Sequence, residues 1–441
     1  MISAQRRREI IDALRRGTVP QRGLDALAVG TERFADTITD ELRVVAAGSP
    51  GFKAIRGEWG SGKTFTVRWI AERARTMGFA TSEVQISEGE TPLHHLETVY
   101  RRLCERLTTA DTPQGGALRT VVDSWFFGID DDVVSSGDVD VSDTEAVVAA
   151  TLERVEERLG AVAQQAPSLA AVLRGYRVAL ADGDNATAEG LLAWLGGQPH
   201  VAASVKRQAG IKGDLDHDGA LGFLSGLLSI LRSAGYSGLV LILDEVETLQ
   251  RVRSDVRDRA LNALRQLIDE IDQGRFPGLY LIITGTGPFF DGPQGVKRLP
   301  PLAQRLATDF TTDARFDNPR AVQLRLPGFA FDSLGEVGRR VRDLYADNSD
   351  RPDRIRALCD DAYIDRLARA VAGELSGQVG VAPRLFLKKL VGDVMDRIDQ
   401  FEDFDPRVDY QLTLSDHELT DQERNATAAA TVDDIDLDLG G

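Results

Sequence analysis

Residues 57–64 read GEWGSGKT: one glycine, four residues, then Gly62, Lys63 and Thr64. This is the spacing of a phosphate-binding loop. Glycines let the backbone curl until successive amides point inward at phosphate oxygens. Lys63 is long enough to reach β- and γ-phosphates, and Thr64 offers its hydroxyl to magnesium. The expected binding set is Gly57, Gly60, Ser61, Gly62, Lys63, Thr64 and Phe65. Residues 238–245, GLVLILDE, supply the second half of the chemistry. Five consecutive apolar residues describe a strand buried on both faces, and the two acids at its end describe a site. Asp244 is expected to hold magnesium through water. Glu245 is expected to orient and polarise an attacking water. Together the two stretches call for ATP and Mg2+ as ligands and for hydrolysis as the reaction.

These residues need a scaffold. FKAIR (52–56) reads as a buried strand, and TFTVRWIAERARTMG (64–78) as a helix with a glycine stop. Strand, loop and helix in that order put phosphate at a helix N-terminus. FATSEVQI (79–86), GLYLIITGT (278–286) and AVQLRLPGF (321–329) read as further strands. Strands alternating with helices predict an α/β fold: a doubly wound parallel sheet of about five strands. The loop and the acidic strand lie far further apart than one crossover needs, so a helical insertion is expected across about 110–212. Its helices fall near 145–160, 167–181 and 186–195, after a polar, turn-rich stretch at 109–146. The expected organisation is 1–50, two helices packing on the nucleotide site; 51–330, the core with its insertion; 331–400, a helical lid; and 401–441, an acidic mobile tail.

Composition excludes several classes. The chain has 441 residues, 42% of them hydrophobic and 27% charged, as in ordinary globular proteins. No apolar run is long enough to span a membrane, and the basic N-terminus lacks the apolar stretch of a secretion signal. The two cysteines, Cys104 and Cys359, fit no disulfide or metal pattern. A cytoplasmic location is expected. The net charge of −17 is concentrated: residues 399–441 carry 13 acids and two arginines, and residues 128–146 carry seven acids and no base. The rest of the chain is close to neutral, so a DNA contact on the folded body is not excluded. DLDHDG (214–219) opens like a calcium loop, but Ser225 stands where a bidentate Glu is required. An acidic helix start is the better reading there.

With these motifs, the chain resembles AAA+-type P-loop ATPases near the origin-recognition and STAND-like enzymes, across roughly 20–105 and 215–400. VPQRGLDALAVGTE, FKAIRGEWGSGKTF, AGYSGLVLILDEVETL and GVAPRLFLKKL carry a closer resemblance, to the BREX-associated ATP-binding family of bacterial phage defence (BrxD-like). The resemblance implies that residues 17–30 pack against adenine. It implies that Thr284 reads the γ-phosphate and attacking water, with a simple strand cap as the alternative. It implies that Arg384 is a phosphate-sensing arginine on the lid, with a surface arginine as the alternative. It implies that Arg305, or else Arg298, is an arginine finger acting on a neighbouring copy, with an ordinary helix arginine as the alternative; self-association is expected if the finger acts in trans. Glu247 also matches the acidic phrase, though a helix-start acid explains it equally well. Implied partners are other phage-defence proteins, a helicase among them, and DNA is a further candidate. The stretch after the lid, 401–441, is short and acidic, so the C-terminal winged helix of origin-recognition relatives is not expected within it.

Overall fold

The structure is a computed structural model that describes residues 2–136, 142–374 and 382–413. At its centre lie five strands: β1 Gly51–Arg56, β2 Ala80–Gln85, β3 Leu239–Asp244, β4 Leu279–Gly285 and β5 Gln323–Arg325. They pair in the order β2-β3-β4-β1-β5, all parallel. Every residue of β3 and β4 is buried. That is why these strands read as unbroken apolar runs without alternation: helices cover both faces. The fold is α/β, a doubly wound P-loop sheet.

The strand order has one consequence for chemistry. β4 separates β1, which feeds the glycine loop, from β3, which carries the acids. In register, Gln85 of β2 faces Asp244, and Leu243 faces Ile283 of β4. Gln85, Asp244 and Thr284 therefore finish in one row at the C-terminal edge, where open α/β sheets place their sites.

Alternate strand residues feed two cores. Val240, Ile242, Tyr280 and Ile282 pack with helices Glu32–Ala46 and Lys63–Thr76. Leu239, Leu241, Leu243, Leu281 and Ile283 pack with helices Leu96–Glu105 and His217–Ser233. This second core runs on without a break into the insertion. The insertion comprises helices Leu118–Ser135, Thr144–Gln165, Pro167–Ala181, Asn185–Leu195 and Ala203–Gln208. The first of these corrects the expectation of a turn-rich stretch at 109–146. Val121, Val122, Trp125, Phe126, Ile129 and Val133 are buried at helical spacing, while Asp130 and Asp132 on the outer face pair with Arg177 and Arg158. The acids there are a solvated helix face, and residues 137–141 lie outside the described residues.

Beyond β5, helices Phe331–Ala346, Pro352–Leu358, Asp361–Glu374 and Ala382–Lys388 form the lid. The last continues through a wide π turn, Lys389–Met395, into Asp396–Gln400. The lid has its own core, including Leu334, Val341, Ile364, Phe386 and Val394. Ile10, Ile11 and Leu14 of helix Ala4–Arg15 belong to it, and Arg15 is hydrogen-bonded to Asp396 at 2.9 Å. Residues 1–50 thus divide: the first helix joins the lid and the second joins the sheet. Residues 401–413, expected within a mobile tail, also pack on the lid. Phe404, Tyr410 and Leu412 lie against its core, and Arg354 donates to the Phe404 carbonyl at 2.8 Å. The remainder of the acidic tail, 414–441, lies outside the described residues.

Candidate nucleotide-binding site

The loop between β1 and helix Lys63–Thr76 takes its shape from glycine. Gly62 caps the helix at φ 88°, a conformation other residues rarely adopt. A Cβ on Gly57 would stand 2.3 Å from the Ser61 hydroxyl. The first amides of a helix have no intrahelical acceptor. Among the described residues, those of Gly60, Gly62, Lys63, Thr64 and Phe65 make no backbone hydrogen bond, and the Ser61 hydroxyl is buried without a partner. These donors converge at the positive end of a helix dipole, which suits a phosphate group.

Lys63 is buried, with 6% of its surface exposed. Its ammonium donates to the carbonyls of Gly57 at 2.9 Å and Glu58 at 3.2 Å. It sits 4.9 Å from the centre of the Trp59 ring and 3.8 Å from Glu247 Oε1. Burial lowers its pKa, and the carboxylates of Glu247 and Asp244 pull the other way.

The acids are fixed by their neighbours. The Thr64 hydroxyl donates to Asp244 Oδ2 at 3.0 Å. The Thr284 hydroxyl donates to Asp244 Oδ1. The Glu245 amide donates to Asp244 Oδ1 at 3.1 Å and to Thr284 Oγ1 at 3.0 Å. Burial raises the Asp244 pKa, and the two threonine hydroxyls hold it down. Glu245 adopts φ 60° and ψ 41°. Such left-handed backbone at a non-glycine costs about 1 kcal/mol or more and gathers at functional sites. Here it turns the chain sharply out of β3, and the Glu245 carboxylate accepts from Gln85 Nε2 at 3.0 Å.

A cavity of about 390 Å³ opens over this edge. The glycine loop, Asp244 and Glu245 form its floor. Val19, Val29, Phe34 and Phe329 also line the cavity, as do Arg384 and Leu387 of the lid. The polar lining suits phosphates and the apolar lining suits a flat ring. Thr64 and Asp244 form a two-ligand set of hard oxygens, which magnesium accepts when water and phosphate supply the rest. Among the described residues, no three or more His, Cys, Asp or Glu form a protein-only metal cage. Asp216 of the calcium-like stretch caps a helix instead, accepting from the Gly219 amide at 2.8 Å.

The structure therefore brings Gly60, Ser61, Gly62, Lys63, Thr64, Phe65, Asp244, Glu245 and Arg384 into one cavity wall. Gly57 lies beneath, its carbonyl holding Lys63. Thr284 is fully buried behind Asp244, its hydroxyl donating to that carboxylate, and it is not part of the cavity lining. Its β4 position, beside the acidic strand in register, causes this. Arg305 and Arg298 lie elsewhere: Arg305 donates to the Pro301 carbonyl at 2.9 Å and pairs with Asp269, and Arg298 pairs with Asp258. Sequence reasoning passed over Gln85, whose only signal is its position at the end of β2. It also left Glu247 open between the acidic phrase and a helix-start acid; the residue is 4% exposed and faces Lys63.

Comparison with known proteins adds three findings. The family described as BREX system ATP-binding protein BrxC/D matches residues 2–414. No curated protein matches the chain. Among solved structures, the Aeropyrum pernix ORC2 protein in its ADPNP–ADP complexes is similar, with a TM-score of 0.33 and 12% identity, covering 81% of this chain and 67% of that one.

Proposed function

The chain belongs to the BREX system ATP-binding protein BrxC/D family, and on that premise we propose that it is an ATPase that powers or gates a bacterial phage-defence assembly. One observation carries the reading. Lys63, Thr64, Asp244 and Glu245, from opposite sides of a long insertion, meet beneath a row of free amides.

The roles follow from placement. The loop amides and Lys63 bind the phosphate chain, and adenine lies against the apolar lining that includes Val19, Val29 and Phe34. Magnesium, when bound beside Thr64 and Asp244, supplies charge neutralisation on the phosphates. Glu245 orients the attacking water and takes its proton. Arg384 adds a planar, permanently charged fork from the lid side. Thr284 holds Asp244 and the Glu245 amide in place. The bond from Gln85 to Glu245 favours slow turnover in the isolated chain, because Glu245 must leave Gln85 to serve a water. Slow turnover suits a switch that a partner releases.

Partners on this reading are other defence proteins, a helicase among them, with DNA as a further candidate. Arg305, a third exposed, serves a neighbouring copy only if it leaves Asp269. The cytoplasm is the expected compartment for an ATP-driven device, and no helix among the described residues is long and apolar enough to cross a membrane.

The test is ATP binding by calorimetry with phosphate release, on native chain, Lys63→Ala and Glu245→Gln. Lys63→Ala should weaken binding about a hundredfold or more. Glu245→Gln should keep binding and lose about a hundredfold in turnover. A Lys63→Ala chain that binds and hydrolyses like native would sink the reading.

A further inference from the structure

Glu247 is buried against Lys63 at the edge of this site, yet the proposed chemistry leaves it unused. The 3-10 turn Val246–Gln250 carries it inward from the end of β3. Both carboxylate oxygens are buried without a hydrogen-bond partner. One lies 3.8 Å from the Lys63 ammonium. Burying a carboxylate with no donor is costly unless a counter-charge compensates. Lys63 supplies part of that counter-charge, and its own hydrogen bonds go to the carbonyls of Gly57 and Glu58. A helix-start acid would instead face solvent and the first amides of its turn.

We propose that Glu247 is a resident counter-anion for Lys63, a positioning residue that holds the ammonium against the floor of the loop and competes with phosphate for it. The inference rests on the ATP reading and deepens it. At 3.8 Å the lysine is drawn toward a fixed internal carboxylate. Phosphate binding has to draw the ammonium outward, and it leaves Glu247 with its compensation weakened. The carboxylate thus sets nucleotide affinity below what the loop alone would give, and it returns Lys63 to the floor when product leaves. A loop built this way trades tightness for exchange, as a cycling device requires.

The experiment measures dissociation constants for ATP and ADP on the full native chain, Glu247→Gln and Glu247→Asp, with a thermal melt of each. Glutamine keeps the shape and removes the charge, so both nucleotides should bind about tenfold more tightly and ADP should leave more slowly. Aspartate keeps the charge but shortens its reach toward Lys63, so its affinities should fall between native and glutamine. A purely structural Glu247 predicts the opposite sign: losing it would leave affinity equal or lower. Native-like folding of Glu247→Gln with equal or weaker binding overturns the proposal. Should the glutamine chain fail to fold, Glu247→Asp decides: tighter binding supports the proposal, and unchanged or weaker binding overturns it. A native chain that binds neither nucleotide removes the ATP reading and this inference together. Native binding that depends on Lys63 and is indifferent to Glu247 removes this inference alone.

Discussion

The insertion and the lid are both wholly helical additions to one sheet, yet they are attached in different ways. The insertion has no core of its own. Its buried residues continue the sheet core, through contacts such as Trp194 against Phe223 at 5.4 Å between ring centres. The lid has a separate core, completed by the N-terminal helix, and it meets the sheet across the cavity. Continuity of buried apolar surface, and not sequence distance, decides which addition becomes scaffold. The insertion interrupts the chain between loop and acids, yet its buried side chains share the sheet core. The lid follows in sequence yet remains a distinct body carrying Arg384.

This contrast makes its largest prediction about stability. Trp194 is 4% exposed and Phe386 is fully buried. Truncating either to alanine should cost about 3–5 kcal/mol. Trp194→Ala should lower the melting of insertion and sheet together, as one cooperative unit. Phe386→Ala should lower the lid transition and leave the sheet transition near its native temperature. Hydrogen exchange followed by mass spectrometry reads both bodies at once. If Trp194→Ala opens the insertion while β3 and β4 keep native protection, the insertion is not scaffold and the contrast fails.

A second prediction locates a pH dependence in the sheet body. Burial pushes Glu247 up to about 7 from the ordinary glutamate value, with Lys63 opposing. The folded state therefore keeps a proton that the unfolded chain gives up earlier. Below about pH 4.5 both states hold it and the group is neutral in the balance. As pH rises from there to about 7, the unfolded state gains and stability falls, by up to about 3 kcal/mol. Glu247→Gln should remove that slope and raise stability at pH 8. Because Val246 and Leu249 of the same turn pack in the sheet core, the gain should appear in the sheet transition and not in that of the lid. Denaturant melts from pH 5 to 8 measure it. The lid transition, with equal slopes in the native and Glu247→Gln chains, serves as the internal control.

How much of this was legible in the sequence differs between the two bodies. The glycine loop and the acidic strand announce themselves because their chemistry requires neighbours in sequence. β3 and β4 are visible because strands covered on both faces need unbroken apolar runs. Helix Leu118–Ser135 carries a signal too: its apolar stripe is at helical spacing, but three consecutive acids, Asp130 to Asp132, draw the stretch toward a loop reading. Other features carry no sequence signal. The stripe of Ile10, Ile11 and Leu14 says that the first helix is buried, not that the lid buries it. Glu247 is separated from Asp244 by only two residues, and only the tight turn after Glu245 decides that its side chain points inward. Gln85 gains its meaning from strand order, a long-range property.

The smallest prediction tests whether the two walls of the cavity act separately. On the proposed function, the sheet wall would grip what ATP and ADP share, through loop amides and Lys63 at the helix start. The lid wall brings Arg384, which packs over Gly17 of the N-terminal segment. A guanidinium on a separate body adds binding energy only when lid and sheet hold the same ligand, and the γ-phosphate is the group that brings added negative charge to hold. Arg384→Ala should therefore weaken ATP about tenfold and ADP by much less, while Lys63→Ala weakens both. Arg384→Lys should recover only part of the loss, since an ammonium cannot make the paired contact. Competition binding with the two nucleotides reads the difference directly. Equal losses for ATP and ADP would mean that Arg384 serves the shared part of the ligand. The lid would then be a second half of the same wall, and its separate core would have no bearing on which nucleotide is held.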